Sequence, residues 1–260
     1  MPGPNSSGII HLRTAAGNAC VMLAPPVAGP APTLLLLALS GEETLTLDGH
    51  RNTGLLLRWQ GWNVVSLDLP CHGADSRAGE AFGLDGWAER LAAGEEIVAP
   101  FRARVNDVLA HLVAEGLADP ERLAAAGISR GGFMAFQAAA GNPLLRAVAG
   151  FAPVTDLRAL GEFAVLQDNE LVCRQGLINE VEALADRAAW VTIGNADGRV
   201  GTDCALAFTR ALTRAAVERD LPPRVTLHVL PTPGHHSFPS WHVDAAAWLQ
   251  RQIELAAMPL

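Results

Sequence analysis

Arg122-Leu-Ala-Ala-Ala-Gly-Ile-Ser-Arg-Gly-Gly-Phe-Met-Ala-Phe136 is the stretch on which the reading of this chain turns. Leu123 to Ala126 is a short apolar run that predicts a buried strand. It enters Gly127-Ile128-Ser129-Arg130-Gly131, and an Ala-rich, helix-favouring segment from Gly132 to Ala140 follows at once. The three letters G-x-S-x-G are weak alone, since an ordinary Gly-rich strand-to-helix loop would carry them too. With a strand before and a helix after, they predict a sharp turn that strains the serine backbone and lifts its Oγ clear of the sheet edge. Glycine is expected at 127 and 131 because a Cβ at either place would meet the crossing strand or helix.

Working outward, 260 residues, half of them apolar, suffice for one large α/β domain spanning 1–260. All 19 basic residues are Arg, and the net charge is −8. No basic run exists to neutralise phosphates, so a nucleic-acid partner is not expected. Cys20, Cys71, Cys173 and Cys204 form no C-x-x-C pair, which points to neither a zinc site nor a redox dithiol. They read as free thiols in a reducing compartment. Met1 to Gly8 lacks the pattern of a signal peptide, and Leu34 to Leu39 is too short to span a bilayer. A cytoplasmic protein without a membrane partner is the expectation.

Ile9–Ala15 and Ala19–Ala24 are strand candidates around the turn signal Gly17-Asn18, and predict an opening hairpin. Pro25 to Pro32 is a loop. Thr33 to Ser40 is an unbroken apolar run of the kind a strand buried on both faces requires. Asn52 to Gln60 reads as a helix and Asn63 to Leu69 as a strand. Residues 71 to 94, with five Gly and little periodicity, read as an irregular excursion. Glu95 to Leu117 is an amphipathic helix, broken by Asp119-Pro120. Arg146–Ala152, Ala189–Ile193 and Arg224–Leu230 are further strands. Thr155 to Ala188 is expected to be helical and to form a small lid. Thr202–Arg219 is a helix capped by Thr202 or Asp203, and Ser240–Leu255 is the last helix. Strands alternating with helices predict a mostly parallel sheet covered on both faces, with sites at the carboxyl ends of its strands.

Those ends carry chemistry. A serine hydroxyl is a poor nucleophile at neutral pH and needs a base, which in turn needs an orienting acid. Asp197 follows the Ala189–Ile193 strand in Gly194-Asn-Ala-Asp-Gly-Arg-Val200. His235 follows the last strand in Pro233-Gly-His-His-Ser-Phe238. The order Ser129, Asp197, His235 is the one a nucleophile elbow requires.

On Asp68-Leu-Pro-Cys-His-Gly73, Gly127-Ile-Ser-Arg-Gly-Gly132, Gly194-x-x-Asp-x-x-Val200 and Gly234-His235, the chain resembles an α/β-hydrolase over nearly its whole length. The nearest branch is the esterase-like group around dienelactone hydrolases and the catalytic domains of prolyl oligopeptidases. The resemblance implies that Ser129 attacks a carbonyl, His235 is the general base and Asp197 the acid. An acyl-enzyme would form and be hydrolysed by water, with no metal or organic cofactor. It also implies an oxyanion hole built from the backbone N–H groups of Arg130 and Glu42, although Ser40-Gly41-Glu42 stands where the family often has His-Gly. Cys71 stands where the family commonly has Gly.

Other residues compete for these roles. His236 adjoins His235, and Asp156 follows a strand at which some members of the fold place the acid. Asp68 reads as a loop brace and His72 as a structural histidine. Arg130 either recognises an acidic substrate or braces the elbow. Trp87, Phe82, Phe163, Leu166, Phe238 and Trp241 are candidates for an apolar pocket, or for ordinary core. The expected activity is hydrolysis of a small or medium-sized carboxylic ester. A peptidase or amidase with the same triad, and a ligand-binding module without catalysis, are the alternatives. Oligomeric state is not legible.

Overall fold

The computed structural model describes residues 8–26, 28–232, 234–236 and 238–257. Met1 to Ser7, within the N-terminal stretch read above, and Val27, Pro233 and Ser237 lie outside the described residues.

Eight strands form one sheet in the order β1-β2-β4-β3-β5-β6-β7-β8. They are β1 (Ile10–Arg13), β2 (Ala19–Leu23), β3 (Ala31–Leu37), β4 (Asn63–Ser66), β5 (Ala118–Ile128), β6 (Leu145–Phe151), β7 (Ala188–Gly194) and β8 (Val225–Leu230). β1 and β2 make the antiparallel hairpin that Gly17-Asn18 signals, and β2 also runs antiparallel to β4. Every other pairing is parallel. Leu34 to Leu37 of β3 are essentially inaccessible, which is why that strand reads as a continuous apolar run rather than an alternating one.

The helices are α1 (Gly41–Thr46), α2 (Asn52–Trp59), α3 (Leu84–Ala92), α4 (Val98–Ala114), α5 (Arg130–Gly141), α6 (Glu170–Gln175), α7 (Val181–Leu184), α8 (Thr202–Glu218) and α9 (Pro239–Ala257). α2 and α9 pack on each other and on one face of the sheet; α4, α5 and α8 cover the other. The three alanines at 124–126 are fully buried between α5 and α9, and their small side chains let both helices approach β5 closely. Phe136 of α5 meets Phe208 of α8 edge to face, with ring centroids 5.2 Å apart. Such a pair contributes about 1 kcal/mol beyond the area it buries. This is the α/β-hydrolase fold, with a mostly parallel sheet and helices on both faces.

Three local readings need correction. Residues 71–94 are not irregular throughout, because α3 lies inside them. Trp87 and Leu91 are fully buried on one face of α3, and its Arg90 forms ion pairs with Asp75 (2.7 Å) and Glu80 (2.5 Å) that close the excursion on itself. Asp119-Pro120 does not separate the α4 helix from the elbow strand by a break. Both residues belong to β5, where a register irregularity against β3 accommodates the missing proline N–H. Helix α8 is not capped by the side chain of Thr202 or Asp203: its N-cap is Gly201 at φ 81°, and the Thr202 hydroxyl instead donates to Gly194 O at 2.6 Å. Residues 155–188 do consist of short helical turns, including α6 and α7. Leu157, Phe163, Val172, Leu177 and Leu184 are fully buried in the common core, and Gln137 Nε2 of α5 donates to Gln175 O at 2.7 Å.

Candidate active site

The end of β5 becomes the start of α5 within a single residue. Ser129 has φ 53° and ψ −116°, a left-handed backbone that a side-chain-bearing residue adopts only at a cost of about 1–3 kcal/mol. Both of its main-chain groups are tied to the neighbouring strand exit: Ser129 N–H donates to Phe151 O at 2.9 Å, and Val154 N–H donates to Ser129 O at 3.1 Å. A Cβ on Gly127 would collide with the carbonyl of Gly131 in the first turn of α5. One on Gly131 would collide with the carbonyl of Leu37 at the end of β3. The glycines are therefore required by the helix and the strand respectively.

Asp197 follows β7, and its side chain is wholly buried. Its Oδ1 accepts the backbone N–H groups of Arg199 (3.0 Å) and Val200 (3.2 Å). Its Oδ2 faces His235 Nδ1 at 2.8 Å. One oxygen is thus fixed by the main chain, which leaves the other to orient the imidazole. A carboxylate can only accept from the ring, so Nδ1 carries the hydrogen and Nε2 of the neutral ring is left with its lone pair.

His235 and Ser129 line one cavity of about 260 Å³, together with Ala38, Leu39, His50, Ile128, Arg130, Phe151, Ala152, His236 and Trp241. Among the described residues no hydrogen bond joins Ser129 Oγ to His235. In unliganded hydrolases that bond often closes only when substrate is seated. His236 is exposed at the same cavity, without a carboxylate partner among the described residues, which distinguishes it from His235. Asp156 is turned toward Arg158, with a 2.7 Å ion pair, and is not brought to either histidine.

Of the two residues expected to donate to an oxyanion, Arg130 lies at the Ser129 cavity. Arg130 is the first residue of α5, where a helix leaves its N–H without an intrahelical acceptor, and it lines the Ser129 cavity. Glu42 is not at this cavity. It lines a separate one of about 330 Å³, between the β1–β2 hairpin and α1. The reason is local. Ser40 and Glu43 form a reciprocal capping box, Ser40 accepting from Glu43 N–H and Glu43 from Ser40 N–H, so the chain closes into α1 and carries Glu42 around to its far side. The residues of this loop at the Ser129 cavity are Ala38 and Leu39. The pattern S-x-x-E at 40–43 is the sequence signal that would have placed them.

Asp68 does brace loops. Its Oδ1 accepts Gly41 N–H and its Oδ2 accepts Ala74 N–H, each at 2.8 Å. Cys71 is fully buried with φ 58°, which explains the glycine that the resemblance leads one to expect there. Burial pushes its thiol up to about 12, so it is no nucleophile. Of the aromatic residues proposed for the pocket, Trp241 lines the cavity. Trp87 and Phe163 belong to the core, and Phe82 packs edge-on against His72 with centroids 4.6 Å apart. His50 escaped sequence reading, as a lone histidine in a loop carries no signal. Its Nδ1 is buried without a partner among the described residues, and burial holds its pKa below the ordinary value.

A model of the prolyl oligopeptidase family matches residues 103–256, which include Ser129, Asp197 and His235. The chain belongs to the prolyl oligopeptidase family. It is a serine hydrolase. No curated protein matches it. Among solved structures it is similar to TT1662 from Thermus thermophilus, with a TM-score of 0.70 and 22% identity over 95% of this chain and 98% of that one. It is also similar to a cold-adapted esterase from an Arctic intertidal metagenomic library, with a TM-score of 0.67 and 18% identity over 94% and 92% of the two chains. Against Porphyromonas gingivalis dipeptidyl peptidase 4 the TM-score is 0.67 and the identity 15%; the match covers 94% of this chain and 35% of that one. At these identities the likeness is one of fold. The chain spans about a third of the dipeptidyl peptidase and nearly all of the esterase. Among the described residues no helix is long and apolar enough to cross a membrane.

Proposed function

We propose that this prolyl oligopeptidase-family hydrolase cleaves a carboxylic ester of a small or medium-sized substrate, with Ser129 as nucleophile, His235 as general base and Asp197 as its orienting acid. The observation that carries the reading is the 2.8 Å contact between His235 Nδ1 and Asp197 Oδ2, made by a histidine that shares a cavity with a strained Ser129.

In this mechanism His235 Nε2 takes the proton of Ser129 as Oγ attacks the carbonyl, and Asp197 stabilises the imidazolium that forms. The Arg130 N–H donates to the developing oxyanion at the α5 N-terminus, where the helix dipole adds to it. His235 then returns the proton to the departing alcohol, and a water activated by the same nitrogen releases the acid. An ester is favoured over a peptide by the size of the cavity, which at about 260 Å³ holds a short acyl group rather than a run of residues. The esterase whose chain this one nearly spans supports the same choice.

The test is a panel of p-nitrophenyl esters set against aminoacyl-p-nitroanilides. Ester turnover should dominate, and Ser129→Ala should lower it by about a thousand-fold or more while the protein still folds. Preference for the anilides would move the substrate class to peptides and leave the triad standing. Full ester activity in Ser129→Ala would remove the nucleophile itself.

A further inference from the structure

Arg130 belongs to the elbow and also reaches the segment of residues 71–94 beside it. Its backbone opens α5, and it lines the cavity of Ser129. Its half-buried side chain reaches the 71–94 excursion, where Nη1 lies 3.3 Å from His72 Nε2 and against Gly83. The His72 ring is buried, and its Nδ1 lies 2.8 Å from Pro70 O. A carbonyl can only accept, so Nδ1 carries the hydrogen and Nε2 is an acceptor for the guanidinium. Arg130 is therefore held by a neutral group.

Arginines held by neutral oxygens occur elsewhere in the molecule, Arg58 by Ala24 O and Arg224 by Gln252 Oε1 among them, but the segments around the site are different. The other arginines around these segments are each matched by a carboxylate: Arg90 by Asp75 and Glu80, Arg158 by Asp156, Arg199 by Glu162. No carboxylate among the described residues lies within 4.0 Å of the Arg130 side chain. The acids that act on it through space, Glu162 and Asp85, form no ion pair with it among the described residues. Glu162 is engaged by both terminal nitrogens of Arg199, Glu43 is bound to Ser40, and Asp85 is exposed at the start of α3. A guanidinium cannot shed its proton, and a partly desolvated one without a counter-charge is costly. In a chain of net charge −8, this leaves a positive charge without an ion-pair partner beside Ser129.

We infer that the Arg130 side chain is an anion subsite of the Ser129 cavity, and that the preferred ester carries a carboxylate on its acyl part, as a half-ester of a short dicarboxylic acid does. This rests on the proposed role of Ser129 and adds the substrate's charge to it. The planar fork of the guanidinium suits a carboxylate, which it binds through paired N–H groups. His72 holds one terminal nitrogen of the fork, Nη1, and no other hydrogen bond of the guanidinium is made among the described residues.

The experiment compares p-nitrophenyl hydrogen glutarate with p-nitrophenyl valerate, which have acyl chains of nearly equal length and differ in the terminal carboxylate. The quantity read is the ratio of their kcat/KM values within each protein. The wild type should favour the glutarate ester. Arg130→Gln should lower the ratio by about ten-fold or more, with Arg130→Lys between the two, because a charged hydrogen bond is replaced by a neutral one. A ratio unchanged in Arg130→Gln, or a wild type that favours valerate, overturns the subsite. Should Arg130→Gln fail to fold, salt dependence in the wild type decides. Turnover of the glutarate ester should fall with added sodium chloride relative to valerate, and equal dependence overturns the proposal. Binding of glutarate, against valeramide, to the Ser129→Ala protein by calorimetry requires no turnover. It therefore separates failure of the subsite from failure of the catalytic reading. Glutarate bound no better than valeramide counts against the subsite, whatever the fate of Ser129.

Discussion

Asp197→Asn is the substitution that probes the site with least disturbance, since it changes one atom and one charge. The amide has two orientations. With its oxygen at the Oδ1 position it keeps the N–H groups of Arg199 and Val200, and presents NH₂ to His235. Turned over, it would aim NH₂ at two backbone donors and forfeit two buried hydrogen bonds, at a cost of about 2 kcal/mol or more. The first orientation is thus favoured by about thirty-fold. In it, His235 Nδ1 faces a donor and must accept, so the ring hydrogen moves to Nε2. That nitrogen can no longer take the proton of Ser129. Loss of the base in this manner lowers turnover by about 10⁴-fold, or about 5 kcal/mol of transition-state stabilisation. Initial rates on a short-chain p-nitrophenyl ester measure it, with a cooperative thermal melt to establish folding. Asp156→Asn serves as the control, its carboxylate being committed to Arg158. Activity of Asp197→Asn within ten-fold of wild type would refute the reasoning, as would a large loss in Asp156→Asn.

Two further outcomes concern stability. His50, His72 and His242 are all held below the ordinary histidine value of 6.5, in each case chiefly by burial. The unfolded chain then binds more protons than the native one below about pH 6.5, so stability is full above that value and declines as pH falls. Melting temperature should drop between about pH 7 and pH 5, before carboxylates titrate, and a flat or rising profile would contradict the assignment. Gly131→Ala places a Cβ against the Leu37 carbonyl and the Ala38 backbone, which cannot retreat without opening β3. It should destabilise by about 3 kcal/mol in urea titration, while Gly161→Ala, which faces open space, should stay within about 0.5 kcal/mol of wild type.

Much of this architecture could be read from residue pattern because its determinants are local and repetitive. The all-apolar run of β3, the turn at Gly17-Asn18 and the strand-turn-helix around Ser129 each encode their geometry in adjacent residues. Ser129, Asp197 and His235 could be singled out because they follow the ends of β5, β7 and β8. What escaped depends on the third dimension. Whether Glu42 or Leu39 faces the nucleophile is decided by where α1 begins, and a single capping box moves it. Pro120 reads as a break, yet an irregularity in pairing with β3 keeps it within β5. The side chain of Cys71 does not by itself reveal its positive φ, which the tight turn after Pro70 demands; only the glycine expected there by resemblance pointed to it. His50 acquires significance solely from what surrounds it.

The two hydrogen bonds that hold Ser129 to Phe151 and Val154 have a consequence for anyone wishing to alter this enzyme. Ser129 is held from the neighbouring strand exit, not from its own strand. Ala152, between those two anchors, has φ 41°, and its N–H donates to Thr192 O on β7 at 2.7 Å. The placement of the Ser129 backbone is accordingly set along a transverse line through three strands, β5, β6 and β7. Substitutions at 151–154 would change how Ser129 is presented at its cavity while Ser129, Asp197 and His235 all remained in place.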